Sequence, residues 1–150
     1  MQVQRTSRRI IKALDPIYDA LDPIAYPMIR FVAGVMMIPH GYGKVFGGIE
    51  GTTKFFASVG LEPALILAWY IGLLELVGGI CVALGFLTRF MSAQLIGLLA
   101  VATFYIHLPS GFIWVKGGYE YPLFWMLVMI AITIKGGEKF SIDNNLAKEF

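Results

Sequence analysis

The sequence predicts an all-α membrane protein: a four-transmembrane-helix bundle, N- and C-termini cytoplasmic, preceded by an amphipathic N-terminal segment. Three observations predict it. First, 57% of the 150 residues are hydrophobic and only 15% charged, whereas a soluble domain carries about 25% charged residues. Second, the mean hydropathy of +0.71 is concentrated in four runs that are apolar on all sides. They neither alternate like the strands of a membrane barrel nor leave a polar face for a soluble helical core. Third, basic residues are unevenly shared between the segments joining those runs. The same composition excludes disordered, collagen-like and disulfide-rich chains. A net charge of +2 argues against a nucleic-acid partner. The lone Cys81 forms neither an internal disulfide nor a CxxC pair.

Residues 1–25 form the N-terminal segment. Arg5, Arg8, Arg9 and Lys12 precede Asp15, Asp19 and Asp22, with no apolar stretch and small-residue cleavage site directly behind them, so a cleaved signal peptide is not expected. The string Ala-Leu-Asp-Pro-Ile occurs at 13–17 and again at 20–24. Each Asp-Pro pair reads as an N-cap followed by the first helical position. Ile10, Leu14, Ile17 and Leu21 fall near one helical face. The segment is therefore expected to be kinked and amphipathic, lying on the inner surface with its cations near anionic headgroups.

The transmembrane domain, 26–135, holds spans at about 26–45, 64–87, 90–108 and 121–134, set by the roughly 20 apolar residues that cross a bilayer. The last run is short, which places Tyr119 and Lys135 at its two interfaces. Thr88 and Arg89 form a tight turn that makes the second and third spans antiparallel neighbours. The link 47–63 contains Gly47, Gly48, Gly51 and Gly60 and bends easily. Its middle, 52–59, is expected to form a short helix turning Phe55, Phe56 and Val59 to the bilayer. The link 109–118 carries Phe112, Ile113 and Trp114. Both links are apolar enough to lie on the bundle as a lid. In the tail, 136–150, Ser141 to Asn145 offer capping side chains for a short final helix. With the N-terminus inside, the inner segments hold Arg5, Arg8, Arg9, Lys12, Arg89, Lys135, Lys139 and Lys148. The outer ones hold only Lys44, Lys54 and Lys116. That bias places both termini in the cytoplasm.

Ionisable side chains within spans are costly, so each needs a partner or a role. Arg30 lies about one turn into the first span. His40 and Lys44, four residues apart, share a face of its outer half. Glu75 is in the middle of the second span. His107 ends the third and Glu120 starts the fourth. By depth, Glu75 is expected to face the interior and pair with Arg30 or His40, either as a structural ion pair or as part of a functional site. Gly34, Gly41, Gly72, Gly78 and Gly79 let neighbouring helices approach closely. Pro39 bends the first helix beside His40, opening an outer pocket. Arg30, His40, Lys44, Glu75, His107 and Glu120 are the candidate ligand-binding residues.

With Tyr42, Tyr105, Trp114 and Trp125 nearby, such a pocket suits a quinone: the ring stacks on an aromatic, and its carbonyls meet His or Lys. Haem held by the two histidines is disfavoured, because His40 lies about 8 Å deeper than His107 on helix arithmetic. Cys81 reads as a small buried hydrophobe. No phosphate loop, dinucleotide fingerprint, metal-ligand cluster or nucleophile elbow is present in the sequence. Any electron transfer through this chain therefore needs a diffusible quinone or another subunit to supply the redox centre.

These residues, in this order, resemble the DoxX family of small bacterial membrane proteins. The resemblance begins with Arg30 and Gly34 and continues through Gly41-Tyr42-Gly43-Lys44 and the segment Phe55-Phe56-Ala57-Ser58-Val59-Gly60-Leu61. It is carried next by Glu75-Leu76-Val77-Gly78-Gly79, by Leu84-Gly85-Phe86-Leu87-Thr88-Arg89 and by His107. It closes on Gly136-Gly137-Glu138-Lys139-Phe140-Ser141-Ile142-Asp143. Gly137 replaces a usual proline there, and Ser-Ile-Asp replaces Ser-Leu-Asp. The resemblance implies a four-helix bundle in the bacterial inner membrane, and a link to quinone-dependent oxidoreduction or redox stress. The reading it favours is a quinone or similar small ligand bound within a redox assembly, the chain serving as a subunit of a quinone-linked oxidoreductase. Its rivals are a non-catalytic accessory subunit of a respiratory or photosynthetic complex and a small proton-coupled transporter. The expected partners are the lipid bilayer, other membrane or redox subunits, or a second copy of the chain.

Overall fold

The computed structural model describes residues 9–146; Arg5, Arg8 and Lys148, which enter the charge count above, lie outside them. The described chain is helical, with no strand among those residues. Helix α1 spans Asp15–Tyr42 and runs on into a π-helical turn, Gly43–Gly47. A short α2, Ile49–Ser58, comes next. Helix α3 covers Ala64–Leu84 and α4 covers Thr88–Ser110; α5 is Glu120–Lys135.

Three helices are long and apolar enough to cross a membrane: Lys12–Gly47, Ala64–Leu84 and Thr88–Ser110. The fourth expected span is shorter than the criterion. Helix α5 has 16 residues, about 24 Å at about 1.5 Å per residue, against a hydrocarbon core of about 30 Å. It ends where Gly136 takes a positive φ of 78°. Its place in the fold is nonetheless that of a bundle member, packed lengthwise on α4.

From Lys12 onward the N-terminal segment runs without a break into α1. Neither Asp15 nor Asp22 acts as a side-chain cap, and Pro23 lies inside the helix. Arg9 reaches Asp15 at 3.3 Å and Asp19 at 2.9 Å, so two acids of the first turns meet a cation. Pro23, Pro27 and Pro39 each withhold one backbone donor.

Glycine sets the α1–α3 contact. A Cβ on Gly34 would collide with the backbone of Ala83 and Gly79, and one on Gly41 with Leu76 and Gly72. Two antiparallel helices thus touch backbone to backbone. The buried core beside them is Met37, Leu74, Val82, Leu95, Leu99, Met126, Met129 and Ile132. Between α4 and α5 the Ser92 and Thr133 hydroxyls hydrogen-bond at 2.8 Å.

The α3–α4 turn is closed by polar groups from both chain ends. Arg30, 2% exposed, donates to the carbonyls of Val82 (2.7 Å), Ala83 (2.9 Å) and Phe140 (2.8 Å). A cation thereby meets the last carbonyls of α3. The Asp143 carboxylate accepts from the Leu87 N–H (2.8 Å), the Thr88 N–H (2.9 Å) and the Thr88 hydroxyl (2.6 Å), capping the start of α4. The tail's capping chemistry therefore serves a helix 55 residues away in sequence; the expected final helix is a single 3₁₀ turn, Asp143–Asn145. Gly85, at φ 69°, makes room, since a Cβ there would strike Ser141 and the Arg30 guanidinium.

Candidate functional site

At the bundle end away from this seam, α1, α3, α4 and α5 part around a cavity of about 610 Å³. That volume is within the range of small-molecule sites. His40 and Lys44 reach it from α1, Glu75 from α3 and His107 from α4. Phe55 and Phe56 of α2, and Trp114 of the 111–119 loop, also line it.

The backbone is altered where three of these side chains arise. Lys44 lies in the π turn Gly43–Gly47, Glu75 in Leu74–Gly78 and His107 in Ala102–His107. A π turn inserts one residue into the helical ladder and re-aims the side chains around and beyond it; such insertions concentrate at functional sites. Here three of them converge on one cavity.

Glu75 is 6% exposed and pairs with Lys44, Nζ to Oε2, at 2.5 Å. Lys44 keeps more access, with a quarter of its side chain exposed. The expected Arg30–Glu75 pair is not formed. The glycine contacts fix the α1–α3 register so that Gly41 lies beside Gly72 and Leu76. Glu75 is thus level with residues near 40, while Arg30 lies more than two helical turns away and is taken up by the α3 terminus. Lys44 reaches Glu75 because its long stem runs back along the helix. His40 lies within electrostatic range of Glu75.

Four of the six expected residues line the cavity: His40, Lys44, Glu75 and His107. His107 is oriented by its Nδ1, 2.7 Å from the Gly117 carbonyl. Arg30 belongs to the opposite seam. Glu120 is not on the cavity wall; it accepts the Trp114 N–H at 3.3 Å and holds the 111–119 loop. Of the expected aromatics, Trp114 and Trp125 are on the wall. Tyr42 packs against Phe46 with the rings tilted and their centroids 5.0 Å apart, and Tyr105 donates to the Val59 carbonyl at 2.7 Å, tying α2 to α4. The wall also holds Tyr70 and Gln94, which a search for ionisable groups passes over. A lone amide within an otherwise apolar run was the available signal.

A carboxyl group, an amine and two imidazoles thus face a space walled by Phe55, Phe56, Trp114 and Trp125. Such a wall stacks a flat ring, and the polar groups hydrogen-bond oxygens at its edge.

The DoxX family profile matches residues 26–108. The chain is 30% identical over 116 residues to a Bacillus subtilis protein named "Putative oxidoreductase CatD", covering 77% of this chain and 82% of that one. It is 28% identical over 130 residues to an uncharacterized protein of Haemophilus influenzae, covering 85% and 94% respectively. A second uncharacterized protein of that organism is 30% identical over 83 residues, 55% of each chain. No solved structure matches the chain. The matched span runs from Tyr26 through Leu108 and so includes Arg30, the glycine-mediated α1–α3 contact and the Lys44–Glu75 pair: this is a membrane protein of the DoxX family.

Proposed function

We propose that the protein binds the head group of a quinone, or a similar lipid-soluble redox carrier, in the cavity, as a subunit of a quinone-linked oxidoreductase or oxidative-stress assembly. The observation that carries the reading is the Lys44–Glu75 pair on the wall of an aromatic cavity, between helices long enough to lie in a bilayer. A purely structural pair would be packed over rather than left facing open volume. The name of the Bacillus relative supports redox chemistry. A bound quinone accepts two electrons and two protons; the side chains supply its hydrogen bonds and hold the protons. Lys44 and His40 are donors toward a carbonyl oxygen, and Glu75 keeps Lys44 charged and aimed.

The proposed setting is the bacterial inner membrane, with α5 as a fourth span and both termini cytoplasmic. The distribution of basic residues supports the orientation. Helix α5 adapts to its short length through its ends: Lys135 lies over the Tyr26 ring at 4.5 Å, and Trp114, Tyr121 and Trp125 cluster at the other end. Flanking anchors of this kind let a short helix span.

The test is organic extraction of protein purified from native membranes, followed by titration of the stripped protein in nanodiscs with menadione, read by tryptophan quenching. Co-purified quinone and saturable binding are expected. Glu75→Gln and Lys44→Met should each weaken binding by about tenfold at unchanged helicity. Wild-type protein without saturable quenching would defeat the reading.

A further inference from the structure

We infer that Gln94, held by Tyr70, is the carbonyl-recognising group of the cavity and selects ligands that carry an acceptor oxygen. The inference rests on the cavity being a quinone-type site and names the residue that would give it specificity.

Gln94 stands on α4 six residues from Thr88, about 9 Å into a helix long enough to cross the bilayer. At that depth a polar side chain is stabilised by a protein or ligand group that bonds it. The Tyr70 hydroxyl of α3 donates to the Gln94 Oε1 at 2.7 Å. That bond uses the amide oxygen and fixes the amide orientation, leaving the NH₂ as the free end. Among the described residues no group accepts from it, and both residues line the cavity.

The helix register gives the amide room. Gly97, Leu98 and Val101 succeed Gln94 at helical spacing and line the same cavity. A Cβ built on Gly97 would meet nothing within 4 Å. Beside the amide the helix is therefore smooth, and a flat ring can lie against it with an oxygen at the NH₂. The charged groups occupy a different wall, on α1 and α3. A ligand with acceptor oxygens at two edges would meet Lys44 or His40 at one and Gln94 at the other, which is the arrangement of a 1,4-quinone. A tie between α3 and α4 would be served by the Tyr70–Gln94 bond alone; it does not require the amide to border open volume.

The test uses a matched pair of probes, menadione and 2-methylnaphthalene, which share a ring skeleton and differ by the two carbonyls. Both are titrated into full-length protein in nanodiscs, read by tryptophan quenching. For Gln94→Leu the menadione affinity should fall about fivefold to tenfold, with 2-methylnaphthalene within twofold of wild type. Tyr70→Phe, which frees the amide to rotate, should give a smaller loss in the same direction. Equal losses for the two probes would make Gln94 a packing residue and overturn the inference, as would unchanged menadione affinity in Gln94→Leu. Wild-type protein that binds neither probe, or both equally, would overturn the quinone reading and the inference together. Tight wild-type menadione binding with an indifferent Gln94→Leu overturns the inference alone.

Discussion

Lys44 and Glu75 meet where a missing partner is not replaced by water, and their unequal burial sets what each substitution does. The Glu75 side chain is 8% exposed and that of Lys44 25%. Lys44→Met leaves a buried carboxylate without its cation, a change that costs about 3–5 kcal/mol. Glu75→Gln leaves an ammonium that can snorkel toward the interface, so its loss should be smaller. The double variant should recover most of the Lys44→Met loss, because an apolar and an amide side chain strand no charge. A double-mutant cycle on protein unfolded with sodium dodecyl sulfate measures this, and additive losses would show the pair to be uncoupled. The sequence showed that Glu75 needed a partner but not which one. Depth arithmetic counts Cα positions along straight helices, whereas the choice was made by helix register and by the length of a lysine side chain. Arg30, one of the two expected partners, is bound through three carbonyls that no spacing rule reveals.

Helices here are shaped by what interrupts them. Three π turns re-aim Lys44, Glu75 and His107 toward one space, and the sequence carries no sign of them, since a π insertion changes hydrogen bonding without changing hydropathy. The close α1–α3 approach was legible, because only glycine admits backbone contact at Gly34 and Gly41. The cap on α4 was half legible. Asp143 is a capping residue type in the tail, but its target, the Leu87 and Thr88 amides, lies far off in sequence. Asp143→Ala removes two backbone acceptor bonds and the one to the Thr88 hydroxyl, leaving the first donors of α4 unpaired. The expected loss is about 1–3 kcal/mol, with Asp143→Asn recovering part of it through its remaining carbonyl oxygen. The same unfolding assay checks the order; a neutral Asp143→Ala would mean that the tail is dispensable to the turn. Because this seam lies at the opposite end from the cavity, menadione affinity should hardly change in the Asp143 variants.

The whole molecule has two polar ends and an apolar waist, and the number of times it crosses the bilayer turns on α5. Counting apolar residues gave four spans; measured length leaves three helices that meet the criterion, with α5 at 16 residues. Length alone does not decide the matter, because a bilayer thins and flanking residues reach outward at a modest cost per ångström of mismatch. Packing supports the proposed crossing: Met126, Met129 and Ile132 of α5 are buried with Leu95 and Leu99 of α4 in one core. Its ends carry what a spanning helix requires, Lys135 at one and an aromatic cluster at the other. Cysteine labelling in a Cys81→Ser background separates the possibilities. Ser110→Cys precedes α5 and Asn144→Cys comes after it, and both positions are exposed. In intact cells an impermeant maleimide should label Ser110→Cys at once and Asn144→Cys only after permeabilisation. Labelling of both from one side would show that α5 does not cross, and the reverse pattern would invert the molecule. Only the expected pattern puts the cavity at the outer half of the membrane and the Arg30–Asp143 seam at the cytoplasmic face, where a redox partner docking on the basic end would be separated from the Lys44–Glu75 pair by the inner half of α3, about 14 Å.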